Sequence, residues 1–236
     1  MTPFWLTAFL DFAPDDYERG VVFWAEVTGS DVSPSRGGDL EFATLVPADG
    51  DDYLRVQCLR DGPSRIHLDL HVLDPRAAAD RAAALGATEL ADHGYVVMES
   101  PAGVPLCFVT HPASRRPSPA VFADGRSQVD GVVVEVAADA VETEQAFWQD
   151  LVGETSSADG ALSLSVRPAA LGPAGSAHLV MAADDPEAEV VRQLLLGARR
   201  APGIRSDDGI VLLDPTGAAY VVGEWRNSEA TSASIL

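Results

Sequence analysis

The chain has 236 residues, 47% of them apolar, and a formal charge of -20; that is enough apolar side chain for one or two buried cores and the wrong sign for gripping a phosphate backbone, so nucleic acid is not expected as a partner. All 16 basic residues are arginine, which excludes Schiff-base and Walker-type lysine chemistry. No apolar run reaches the ~18 residues of a membrane span and the N-terminus lacks the pattern of a signal peptide, while Cys58 and Cys107 each sit in an apolar run as buried thiols of a reducing cytoplasm would.

Leu6 to Phe12 reads as a strand with Thr7 and Asp11 interleaved among apolar residues. Asp15 or Asp16 can cap a helix running to about Val27, with Tyr17, Val21, Trp24 and Thr28 at helical spacing and Gly29 as its stop. Strands are expected near Ser30 to Val32, Glu41 to Val46 and Tyr53 to Leu59, separated by Gly-, Pro- and Asp-rich turns. One strand, one helix and three strands make a βαβββ unit.

Ile66 to Pro75 restarts that order. Ile66, Leu68, Leu70 and Val72 alternate with His67, Asp69 and His71, so a strand here has an apolar face and an ionisable face. Asp74-Pro75 then starts a helix as N-cap and first residue, and Gly86 ends it. Thr88 to Leu90, Tyr95 to Glu99 and Leu106 to Thr110 complete a second unit, giving a first domain over 1–111.

Residues 112–126 carry three prolines and no periodicity, and read as a linker. Beyond them the pattern recurs over 127–226. Phe23-Trp24 and Gly29 return as Phe147-Trp148 and Gly153, offset by 124, and His67, Asp74-Pro75 and Gly86 return as His178, Asp185-Pro186 and Gly197, offset by 111. Pro101 and Gly103 return as Pro215 and Gly217, offset by 114. Offsets that are constant over whole elements and change only in loops indicate a duplicated domain, so four βαβββ units are expected, followed by a mobile tail over 227–236.

These motifs, Phe23-Trp24 with Gly29, His67-Leu-Asp-Leu-His-Val-Leu-Asp-Pro, Ala84-Leu-Gly-Ala and Ser100-Pro-Ala-Gly with their echoes, resemble the vicinal oxygen chelate (VOC) superfamily, in particular its glyoxalase-like and bleomycin-resistance-like members. The resemblance implies an α+β fold of tandem VOC domains, each made of two βαβββ units forming a curved mixed sheet, with helices outside and a ligand cavity inside. In metal-dependent members four side chains hold a divalent ion, one near the start of each unit's first strand and one in each unit's last strand. Here the resemblance puts His67 on one position, Cys107 on another, Gln57 on a third, and Thr7, Ala8 or Phe9 on the fourth. That set is poor for an oxygen-loving ion, and in the second domain His178 stands with Val132 and Val221. His67 and His71 are about 13 Å apart along a strand, too far to share an ion. The expected cofactor set is therefore empty, with a divalent metal disfavoured.

His67, flanked by Asp69 and by Asp11 of the first strand, has the arrangement of a general base oriented by a carboxylate; these three are the candidate catalytic residues. Arg55 and Gln57 share a strand face and can hold a ligand carboxylate or carbonyl. His71, Cys107 and Trp5 are further candidate ligand contacts, with Phe42 and Tyr53 beside them, whereas Phe23-Trp24 reads as core. The expected function is sequestration of a small organic molecule in the first domain without a metal, in the manner of resistance proteins. The alternatives are a metal-independent isomerase or lyase using His67 as base, and a metal-dependent lyase or dioxygenase. The tandem gives one chain the two-domain content that single-domain relatives obtain by dimerising, so a monomer is plausible, with a homodimer as the alternative.

Overall fold

A computed structural model describes residues 2–153, 162–204 and 206–225; the tail expected over 227–236 lies outside the described residues. The first unit comprises β1 (Trp5–Phe12), α1 (Tyr17–Thr28), β2 (Asp31–Val32), β3 (Phe42–Val46) and β4 (Leu54–Cys58). The second comprises β5 (Arg65–His71), α2 (Pro75–Ala84), β6 (Thr88–Asp92), β7 (Val96–Glu99) and β8 (Pro105–Val109). Together they form one eight-stranded mixed sheet in the order β2-β3-β4-β1-β5-β8-β7-β6. Each unit's first and last strands run parallel, and the units join through the antiparallel β1–β5 pair. Local chemistry sets the element ends. The Asp74 side chain accepts from Ala77 N, as an N-cap should, and Gly29 takes the left-handed conformation that ends α1. The Asp16 side chain does not cap α1; it binds Arg19 and Ser64 instead.

The linker is partly structured. β9 (Ala120–Phe122) pairs antiparallel with the start of β10 (Gly125–Val136), because Asp124-Gly125 makes a tight turn that periodicity does not register. The second domain continues with α3 (Val141–Val152), β11 (Ser163–Pro168), β12 (Ser176–Ala183), α4 (Pro186–Leu195), β13 (Arg199–Arg200), β14 (Ile210–Leu213) and β15 (Ala219–Glu224). Its sheet runs β11-β10-β12-β15-β14-β13, with β9 on β10. The third unit has a single strand after its helix among the described residues, whereas three were expected.

The repeated Phe-Trp pairs explain how the domains join. Trp24 of α1 donates its indole N–H to Asp214 in the last turn of the second domain at 3.0 Å. Reciprocally, Glu144 of α3 accepts from Ala102 N in the first domain's corresponding turn at 3.0 Å and from Trp148 at 2.8 Å. Arg192 of α4 binds the Glu26 and Val27 carbonyls at the end of α1. Arg81 of α2, at the equivalent position of the first domain, binds the Asp150 carbonyl near the end of α3. Cations on the unpaired carbonyls of a helix C-terminus are favourable on both hydrogen-bonding and dipole grounds. Phe23, Trp24, Phe147 and Trp148 are all buried in one core cluster that runs through both domains.

Candidate functional site

The concave face of the first sheet holds a cavity of about 290 Å³. Strand parity builds it. Leu68 and Leu70 of β5 turn into the core, so His67 and Asp69 turn into the cavity. Phe9 and Asp11 of β1, Arg55 and Gln57 of β4, and Cys107 of β8 face it by the same alternation. Of the residues singled out in the sequence, Asp11, Arg55, Gln57, His67, Asp69 and Cys107 are thus brought together, as is Phe42.

His71 and Trp5 are not at the cavity. His71 is on the polar face of β5 but at its closed end, fully buried. Its Nδ1–H donates to the His111 carbonyl at 2.7 Å, and its Nε2 accepts from the Thr7 hydroxyl at 2.9 Å. The carbonyl can only accept, so the ring is the neutral Nδ1–H tautomer, and burial lowers its pKa. Both nitrogens are used in holding the structure together, which corrects its assignment as a ligand contact. Trp5 is likewise buried, with its indole N–H on the Asp52 carbonyl, and Tyr53 packs in the core. Alternation gives the face of a strand residue; it cannot tell that chain crossing over the strand end covers it.

Several cavity residues carried no sequence signal as such. His111, beside a turn at the end of the first domain, lines the cavity because it follows β8, whose last residue pairs with His71 at the end of β5. Arg36 reaches it from the β2–β3 turn. Phe9, which the resemblance offered only as one of three places for a metal ligand, lines the cavity beside Asp11 as an apolar wall.

His67 lies between two carboxylates. Its Nδ1 is 2.9 Å from both Asp11 oxygens, and its Nε2 is 3.4 Å from Asp69. The Phe9 ring lies flat on the imidazole, centroids 4.5 Å apart and planes 9° apart. Burial works against a charged ring, but the charge and hydrogen bond of Asp11, then those of Asp69, outweigh it and raise the His67 pKa to about 10. At neutral pH the ring is an imidazolium with its Nδ1–H donated to Asp11. That reverses the expected role, because a ring that already holds its proton is an anchor for negative charge or a proton donor rather than a base. The neighbouring Cys107 thiol is pushed up by burial and then by the Asp69 charge, so it is a protonated, unreactive thiol.

The register tests the metal positions one by one. Across from His67 on β1 is Phe9, and across from Phe9 on β4 is Arg55; Gln57 lies one pair further, opposite Asp11. A phenyl ring and a guanidinium offer no donor, and a neutral amide offers a weak one. His67, Asp69 and Cys107 do bring potential donor atoms within 4.8 Å of one another. However, an ion there would have to take the place of the thiol proton of Cys107, which burial and Asp69 hold in place, and the β1 and β4 positions offer it only Phe9 and the neutral amide of Gln57. The residues present do not fit the divalent ion of the metal-dependent relatives.

The second domain keeps a histidine and a carboxylate, His178 and Glu135, but not the rest of the cavity chemistry. At the positions of Phe9, Asp69 and Cys107 stand Val133, Val180 and Val221, which pack with Val211 and Ala201 into a separate apolar cluster. Glu135, at the position of Asp11, is held mainly by backbone and stands further from its histidine. It accepts from the backbone N–H groups of Ala170, Leu171 and Gly172, tying down the loop after β11. His178 Nδ1 is left 3.8 Å from Glu135, buried and without a hydrogen-bond partner among the described residues.

Comparison with known proteins agrees with this architecture. The chain matches the glyoxalase-like domain family twice, over residues 7–109 and 131–222. No curated protein matches it in sequence. Among solved structures it is similar to 2,2',3-trihydroxybiphenyl 1,2-dioxygenase from Sphingomonas wittichii strain RW1, at 18% identity and TM-score 0.60, covering 93% of this chain and 89% of that one. It is also similar to the Mn(II)-bound glyoxalase from Novosphingobium aromaticivorans, at 16% identity and TM-score 0.60, covering 94% and 81%. A 4-hydroxymandelate synthase mutant from Streptomyces coelicolor gives 18% identity and TM-score 0.60, covering 95% and 94%. At such identities the likeness is one of fold. The chain belongs to the glyoxalase-like domain family of the VOC superfamily, with two tandem domains of which the first carries the open, charged cavity.

Proposed function

We propose that this protein holds a small organic molecule in the first domain's cavity without a metal ion, with His67 as a charged anchor. The observation that carries the reading is the surroundings of His67: Asp11 pairs its Nδ1 while the Phe9 ring stacks on it from the β1 position that offers no metal donor. A cavity with an apolar wall and a few convergent polar groups is what small-molecule sites have in common. Sequestration needs nothing more.

A second reading has specific support. A cavity-facing imidazolium can deliver a proton to a bound ligand, so a metal-independent isomerase or lyase would use His67, positioned by Asp11 and Asp69, as an acid. Each Phe-Trp helix is bonded to the last turn of the other domain within the chain, which supports a monomeric working unit. Both cysteines are free thiols, which fits a reducing cytoplasm. Among the described residues no helix is long and apolar enough to cross a membrane.

A thermal-shift screen of small organic acids, alcohols and amides with chelator present tests the first reading. At least one class is expected to raise the melting temperature by several degrees at saturating ligand, and the shift should vanish in His67→Gln. Shifts that appear only when a divalent ion is added would contradict the proposal.

A further inference from the structure

The cavity is cationic in an acidic protein. Around it Arg36, Arg55, Arg65 and His67 meet Asp11, Asp69 and, behind Arg55, Asp52, so cations exceed carboxylates in a chain whose net charge is -20. The charges are also unevenly placed. At one end Asp11 and Asp69 are matched by His67 and Arg65, the latter 3.4 Å from Asp11. At the other end Arg55 and Arg36 share only Asp52.

Arg55 is the unusual residue. Its side chain is 8% exposed, and its Nε donates to Asp52 at 2.7 Å. Its two terminal nitrogens have no hydrogen-bond partner among the described residues, and its guanidinium carbon is 5.9 Å from the Phe9 ring centre. Arg55 lines the cavity, and the fork left free there is the part that matches a planar carboxylate with two parallel hydrogen bonds. The Arg36 side chain at the rim makes a long hydrogen bond of 3.4 Å to the Ser33 hydroxyl and no ion pair among the described residues. Burial, and next the Arg55 charge, lower the Arg36 pKa, and the same two causes in the same order lower that of His111. The Arg55 charge is thus felt by both groups, with Asp52 acting against it on each. The adjoining wall is apolar: Phe42 meets Phe9 edge to face at 6.0 Å, with Val97 and Val109 nearby.

We propose that the cavity takes a small aromatic acid, its carboxylate clamped by Arg55 and Arg36 and its ring set against Phe9 and Phe42. This names the ligand class for the site proposed above and rests on that reading. The size agrees, since about 290 Å³ is at the lower end of ligand pockets and suits a single ring. Neutral ring compounds would leave the Arg55 fork unpaired.

Isothermal titration calorimetry with 4-hydroxybenzoate and 4-hydroxybenzamide tests it on the full chain with chelator present. The acid should bind at least about tenfold more tightly than the amide. Arg55→Gln should weaken the acid by about tenfold or more and leave the amide nearly unchanged, and Arg36→Gln, at an exposed position, should weaken the acid less. Equal binding of acid and amide by the wild type, or an acid affinity unchanged in Arg55→Gln, overturns the acid assignment but keeps the cavity as a ligand site. If neither probe binds, the acid assignment falls for this ring size; whether the cavity reading falls with it is decided by the wider thermal-shift screen. Should Arg55→Gln fail to fold, the acid-to-amide ratio in the wild type and in Arg36→Gln decides.

Discussion

Asp11→Asn is expected to destabilise the protein by on the order of 3 kcal/mol at neutral pH, because it leaves a buried imidazolium without its main partner. The change should also alter the pH dependence. In the wild type the folded His67 pKa of about 10 lies above the ordinary value of 6.5. The stabilisation from this pair is therefore fully present below pH 6.5 and is lost as pH rises through the folded value. Unfolding free energy from urea titrations should fall between about pH 7 and about pH 10, by at most about 1.4 kcal/mol per pH unit from this group. In Asp11→Asn that fall should largely disappear, and the imidazole nitrogen resonances should show His67 losing its proton at a much lower pH. A wild-type stability that stays flat or rises over this range would mean that the ring is neutral.

The second large effect is expected at the domain junction. Trp24 is buried between the domains, with its N–H on Asp214. Trp24→Ala removes a large buried ring from a core shared by both halves, and should cost about 3–5 kcal/mol. Trp24→Phe keeps most of the volume and should cost about 1–2 kcal/mol, since Asp214 retains the Thr216 and Ala218 N–H groups. Because one core cluster spans both domains, urea unfolding should remain a single transition in both variants. Two resolved transitions in Trp24→Phe would show that the domains are stabilised separately.

Much of this architecture is legible in the chain. Asp74-Pro75 and Asp185-Pro186 are N-caps whose chemistry is local, and Gly86 and Gly197 mark helix ends by their positive φ, so the unit order follows from nearest-neighbour effects. The period of two in β5 likewise puts His67 and Asp69 on the working face, and the offset pairing of Asp11 with Glu135 marks the strand that meets it. What stayed hidden depends on contacts distant in sequence. His71 shares the face of His67 but is closed over by Thr7 and His111. Phe9 is apolar on a polar face and stacks on His67 only once the β1–β5 register is known. The sign of the His67 contribution needed the balance of burial against two carboxylates, which composition cannot supply. The collapse of the second cavity could be anticipated from Val221, but the use of Glu135 to fasten a loop could not.

The central claim is that the first domain's cavity serves an organic ligand with His67 protonated, where the family's metal-dependent members use an ion. It is tested most directly by incubating the purified protein with excess Mn²⁺, Fe²⁺ or Zn²⁺, removing the free ion, and measuring bound metal by plasma mass spectrometry. The account predicts retention far below one ion per chain for all three, unchanged in His67→Ala. Close to one ion per chain in the wild type, lost in both His67→Ala and Cys107→Ala, would contradict it.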